Sequence, residues 1–135
     1  MKITRRTDYA IHLIADLAEQ PDACLGLRLL ADSHGVTYAF ARTVQQGLLK
    51  SGIIQASRGI NGGIKLAKSL ESITLLEVFE AAQNPLDEAF GTKDFPWCKC
   101  NDDSCMSEGL WASVRQSMHD SLIKTTMKDL LKRRG

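Results

Sequence analysis

A chain of 135 residues, 44% hydrophobic and 24% charged with a formal net charge of +1, has the composition of one folded domain with a real core, which sets it apart from disordered and fibrous chains. No apolar run approaches the roughly 20 residues needed to cross a bilayer, and the opening MKITRRTDYAIHLI lacks the apolar core and cleavage site of a signal peptide. The expected compartment is therefore the cytosol, with no membrane partner. The four cysteines would be kept reduced there, so clustered thiols point to metal binding or redox sensing before structural disulfides.

Thr7 to Glu19 places Ala10, Ile11, Leu13, Ile14 and Leu17 at helical spacing before QPDA stops the run. Leu27 to Ser33 reads as a short second helix ended by HG, with Gly35 suited to a left-handed closing turn. Thr37 can cap a third helix through YAFARTVQQGLLKSG, whose inward stripe is Phe40, Val44, Leu48 and Leu49 and whose stop is Gly52. Two helices joined by a short turn containing glycine form a helix-turn-helix. Ile53 and Ile54, then Ile64 and Leu66, read as two short strands around the glycine-rich tip RGINGG. SITLLEVFEAAQN is a fourth helix capped by Ser72 or Thr74; a cysteine-bearing loop containing Pro96 follows, then a long helix from Ser107 to about Lys124 and a short one in TMKDLLKRR.

The predicted fold is mainly α with a small β-hairpin wing, a winged helix-turn-helix followed by a long helix. Residues 1–82 form the DNA-binding region, 83–106 a sensor loop, and 107–135 the long helix and its short successor. The long helix repeats Leu110, Val114, Met118 and Leu122, with Trp111 and Ile123 widening the stripe. That face needs a partner, and a reader of DNA commonly presents two recognition helices one helical turn apart, so a homodimer on a palindromic double-stranded operator is expected.

Charge is unevenly placed. No carboxylate occurs between Ser33 and Leu70, where Arg42, Lys50, Arg58, Lys65 and Lys68 supply five positive charges; from Glu71 to Glu108 nine carboxylates face only Lys93 and Lys99. A local basic stretch over a helix-turn-helix and wing is the footprint of a protein that meets phosphate. Candidate groove residues are Thr37, Tyr38, Ala39, Phe40, Arg42, Thr43 and Gln46. Arg42 suits guanine and Gln46 adenine, while the Tyr38 and Phe40 rings either meet thymine methyls or turn inward. Arg58 suits a minor groove or phosphate, with Asn61 beside it on the tip. Lys2, Thr4, Arg5, Arg6, Lys50 and Lys65 suit phosphates. No phosphate-cradling GxxxxGK motif and no nucleophile-base arrangement suggests an enzyme.

Three of the cysteines stand in WCKCNDDSC, as Cys98, Cys100 and Cys105. Thiolates suit iron–sulfur clusters and zinc, and a loop can wrap them around a metal. Lys99 is the one basic neighbour, beside Asp102 and Asp103, which argues against a low-pKa thiol switch. Cys24 stands apart, and His12, His34 and His119 read as packing or surface residues.

Taken together, MKITRRTDYAI, TYAFARTVQQGLLKSGII, SRGINGG, ITLLEVFEA, the cysteine loop and TTMKDLL resemble the Rrf2 family of winged-helix repressors along essentially the whole chain. The resemblance implies a homodimer with crossed long helices and, in many members, an iron–sulfur cluster (2Fe–2S or 4Fe–4S) on three loop cysteines plus a variable fourth ligand. Redox state, nitric oxide or iron supply, acting through that cluster, would set DNA affinity. By this resemblance Cys98, Cys100 and Cys105 are ligands, although the tight Cys98–Cys100 spacing departs from the family's wider pattern. Where some members carry a fourth-ligand histidine, three residues after the last cysteine, this chain has Glu108. Asp8 matches the position from which helix one of the other subunit supplies an acidic ligand, so Asp8 is favoured and Glu108 is the alternative. Ala39, Phe40 and Thr43 match base-facing positions of the family. Arg42 replaces a glutamate found in one member, so that member's sequence preference does not carry over. A metal-free regulator of the same fold, responding to a small molecule, thiol oxidation or a partner protein, is the other reading.

Overall fold

The computed structural model describes residues 5–60, 62–82 and 106–132. Its elements in order are α1 (Arg5–Glu19), α2 (Leu27–Ser33), α3 (Tyr38–Lys50), β1 (Ile54–Ser57), β2 (Gly63–Leu66), a 3-10 turn (Leu70–Ser72), α4 (Leu75–Ala82), α5 (Met106–Lys124) and α6 (Met127–Lys132). This is the winged helix-turn-helix order expected. Helix α1 begins two residues before Thr7 and α5 one before Ser107, differences of the size by which helix ends fray.

The helix-turn-helix is shaped by its two glycines. Helix α2 ends with Gly35 at φ 65°; the Gly35 amide donates to the Asp32 carbonyl at 3.2 Å and the Val36 amide to the Ala31 carbonyl at 3.1 Å. Helix α3 ends in the same way. Gly52 has φ 76°, its amide donates to Leu49 O and the Ile53 amide to Leu48 O, both at 3.1 Å. These are paired Schellman closures, in which a left-handed residue satisfies the last carbonyls of the helix and turns the chain sharply. At the other end of α3, Thr37 Oγ1 accepts from the Phe40 amide at 3.2 Å, the cap that its hydroxyl predicts. Of the two caps open for α4 the structure selects Thr74, whose Oγ1 accepts from the Glu77 amide at 3.2 Å.

Strands β1 and β2 pair antiparallel in a register that sets Ile54 opposite Leu66 and Ser57 opposite Gly63. Leu25, from the segment before α2, pairs with the other edge of β2 by exchanging two 2.9 Å backbone bonds with Ile64. That contact requires a glycine at 63, since a β-carbon there would stand 2.4 Å from the Leu25 carbonyl oxygen at a φ of +152°.

One apolar cluster joins these elements. It contains Leu13, Ile14 and Leu17 of α1, Ala41, Val44 and Leu48 of α3, Ile54 and Ile64 of the wing, Val78 and Ala82 of α4, and Met127 of α6. Burying each of the leucine, isoleucine, valine and methionine side chains contributes roughly 1.5–3 kcal/mol. The chain's end reaches this core through local bonds. The Met127 amide donates to Ile73 O at 2.8 Å and the Leu75 amide to Thr125 O at 2.9 Å, while Thr126 and Asp129 cap α6 reciprocally, each side chain accepting at 3.2 Å from the other's amide. Lys128 Nζ and Glu71 Oε1 lie 2.5 Å apart, and this hydrogen bond holds the Glu71 carboxyl below and the Lys128 ammonium above their ordinary pKa ranges.

Candidate nucleic-acid interface

Helix α3 has two faces. Ala41, Val44 and Leu48 are buried against the core, whereas Ala39, Arg42, Thr43, Gln46 and Lys50 are exposed and recur at three- and four-residue steps, so they share one face. The outer face therefore carries the short, polar and basic side chains that base edges and phosphates accept. The Thr43 hydroxyl donates to Ala39 O at 3.1 Å; its proton is committed, and its methyl group and lone pairs are what it has for a base.

The two rings of the first turn part company. Tyr38 is exposed, and the guanidinium carbon of Arg28 sits 4.4 Å from its ring centroid. Phe40 takes the inward alternative: it is half-buried, with its ring centroid 5.7 Å from that of Tyr9 on α1. In this position the Phe40 ring lies against α1 at the first turn of α3. Arg28 was not legible as a partner of Tyr38, since nothing in LRLLADS marks its second residue; the pairing depends on how α2 and α3 cross. A cation over an exposed ring contributes about 0.5–1 kcal/mol.

Arg58 and Ile60 are exposed at the wing tip, Ile60 completely, and Asn61 lies outside the described residues. Lys65 is half-buried in β2, and Arg5 and Arg6 are exposed at the start of α1. Lys2 and Thr4 lie outside the described residues. Lys68 is withdrawn from the basic set, because its Nζ pairs with Glu77 Oε2 at 2.7 Å.

Behind the helix-turn-helix a cavity of about 230 Å³ is lined by Arg5, Asp8, Tyr9 and His12 of α1 and by His34, Val36 and Phe40. His12 and His34, which read as isolated in sequence, meet here with ring centroids 5.5 Å apart, and His34 Nε2 lies 2.5 Å from Asp16 Oδ2. Tyr9 is buried, and its hydroxyl has no hydrogen-bond partner among the described residues; burial, and next the charge of Asp16, push the phenol above the usual tyrosine range. Asp8 Oδ1 stands 3.7 Å from His12 Nε2, and the Asp8 side chain is 73% exposed. Among the described residues no three His, Cys, Asp or Glu side chains are grouped to hold a metal. Cys98, Cys100 and Cys105 lie outside the described residues; Glu108 falls in the first turn of α5. No described helix is long and apolar enough to cross a membrane.

Comparison with known proteins agrees with this geometry. Residues 3–133 match the Rrf2 family model, described as an iron-dependent transcriptional regulator. The transcriptional regulator NsrR of Shouchella clausii is 32% identical over 97% of this chain and 89% of its own. Among solved structures, IscR of T. potens superposes with a TM-score of 0.78 at 20% identity, covering 100% of this chain and 89% of that one. CymR, the global cysteine regulator of B. subtilis, gives a TM-score of 0.78 at 19% identity with 98% of each chain covered. An exposed reading face on a capped helix, a wing beside it and a family match along nearly the whole length lead to one conclusion: the chain belongs to the Rrf2 family of winged-helix, DNA-binding transcriptional regulators.

Proposed function

We propose that the protein is a homodimeric repressor whose affinity for a palindromic operator is set by an iron–sulfur cluster held on Cys98, Cys100 and Cys105, with Asp8 of the partner subunit as fourth ligand and Glu108 as the alternative. The observation that carries this reading is the position of Asp8. Its carboxylate is largely exposed in the first turn of α1, only 3.7 Å from a histidine that is itself half in solvent, so the core places no claim on it. Three soft thiolates and one hard, exchangeable carboxylate fit an iron–sulfur group intended to react, and the iron-dependent description of the family model supports the same assignment.

Such a group, when bound, supplies reactivity toward nitric oxide, oxygen or changes in iron supply. The chain's own residues carry the consequence. Asp8 is one residue from Tyr9, whose ring packs on Phe40, and Phe40 lies in the first turn of the reading helix, where its amide is held by the Thr37 cap. A pull on Asp8 is thereby delivered to the end of α3 that enters the groove. Dimerisation through α5 is supported by Leu110 and Ile123, which remain 59% and 47% exposed in the single chain, and it would present two reading helices to two half-sites.

Purification without oxygen, followed by a visible-range spectrum, tests the reading. The wild type is expected to be coloured, and Cys105→Ser colourless with operator affinity no longer responsive to nitric oxide. A colourless wild type whose operator affinity is untouched by Cys105→Ser overturns it in favour of a metal-free regulator.

A further inference from the structure

Arg28 lies outside the carboxylate-free stretch that marks the basic region, yet the fold brings it to the reading helix. It is the second residue of α2 and is exposed, whereas Leu27, Leu30 and Ala31 beside it are buried. Its guanidinium carbon stands 4.4 Å over the ring of Tyr38, the first residue of α3, so the N-terminal ends of the two helices are joined at the surface by this stack. Among the described residues no ion pair involves Arg28.

We propose that Arg28, oriented by the Tyr38 ring, is a phosphate-contacting residue that fixes how the first turn of α3 enters the major groove. The inference rests on the DNA-binding reading above. A guanidinium carries five N–H donors, more than one ring can cover, and a phosphate oxygen is an acceptor matched to that fork. In a helix-turn-helix the first helix crosses the sugar-phosphate backbone while the N-terminal residues of the second reach the base edges; an arginine at the start of α2, touching the start of α3, stands where both events meet. Tyr38 then acts as a platform and not as a reader of thymine methyls. The ring holds the long side chain in one pose before DNA arrives, so less side-chain freedom is lost on binding.

The test is fluorescence anisotropy over a salt series, with a random-sequence duplex and with the duplex that in vitro selection enriches. Arg28→Gln and Arg28→Ala should each weaken both duplexes by about tenfold and lower the log-log salt slope by about 1, the signature of a lost phosphate contact. Both residues are on the surface, so the thermal melting point should fall by no more than the few degrees that losing about 0.5–1 kcal/mol of cation–ring contact entails. Tyr38→Phe should match the wild type. Tyr38→Ala should weaken binding about fivefold, and combining it with Arg28→Ala should add almost nothing, because the two act as one unit. Unchanged affinity and slope in Arg28→Gln overturn the proposal, as does a loss confined to the selected duplex with the slope intact, which would make Arg28 a base reader. A wild type that binds neither duplex, or binds with a flat salt dependence, defeats the DNA-binding reading itself and is distinguishable from either result.

Discussion

Replacing Gly47 by alanine is expected to destabilise the protein by about 3 kcal/mol and to weaken operator binding with it. Alanine is the better helix former by about 1 kcal/mol in a helix interior, so on local propensity alone this substitution in α3 should stabilise. Packing reverses the sign. A β-carbon at 47 would lie 2.2 Å from the carbonyl oxygen of Ala81 and 3.3 Å from its carbon, and backbone atoms of a helix cannot step aside as a flexible side chain can. Either α4 withdraws from α3 or α3 tilts; the first opens the core around Val78 and Ala82, and the second re-aims Arg42 and Gln46. Gly109, in α5, has nothing within 4 Å of its added β-carbon, and Gly109→Ala should be neutral or stabilise by up to about 1 kcal/mol. Urea denaturation of the two variants beside the wild type separates the cases. A Gly47→Ala protein as stable as Gly109→Ala would mean that α3 and α4 do not approach as described.

The second large effect concerns Arg42, whose loss should be felt by sequence and not by DNA in general. Exposed on the same face as Thr43 and Gln46, it has the fork geometry that pairs bidentately with guanine, a contact that discriminates against other bases by about 1–3 kcal/mol. Arg42→Ala should therefore cost roughly ten- to a hundredfold on the selected operator, with a relaxed preference at one position of each half-site and little change on random duplex. Lys50→Ala is the useful contrast, since a phosphate contact weakens both duplexes alike and reduces the salt slope by about 1. In vitro selection repeated with Arg42→Ala checks this, and an unchanged consensus would remove Arg42 from the reading set.

Much of this arrangement was legible in the sequence because it is local. The bounds of α2, the Thr37 cap, the Gly35 and Gly52 closures and the hairpin around the glycine-rich tip each depend on a few neighbouring residues whose chemistry allows little else. What was not legible is non-local. Leu25 pairing with the other edge of β2, Met127 bonding to Ile73, and Lys68 giving its charge to Glu77 all join segments whose meeting is decided by how helices cross. The same holds at the site. Periodicity puts Phe40 on the inward stripe while the family resemblance sets it among base-facing residues, and only the fold brings its half-buried ring to 5.7 Å from that of Tyr9. His12 and His34 read as scattered because their neighbourhood is created by α1 packing against the helix-turn-helix turn. Arg28 was overlooked because charge counting favours stretches, and a lone arginine beside Leu29 and Asp32 makes none.

In the proposed mechanism the cysteine segment and Asp8 control the reading face through α1. It is tested most directly by titrating the anaerobically purified protein with nitric oxide while following visible absorbance and operator anisotropy on the same sample. Both signals should change over the same range of added nitric oxide, and Asp8→Ala should shift or abolish the two together while Arg42→Ala alters only the anisotropy. Loss of the visible absorbance with operator affinity unchanged would contradict it.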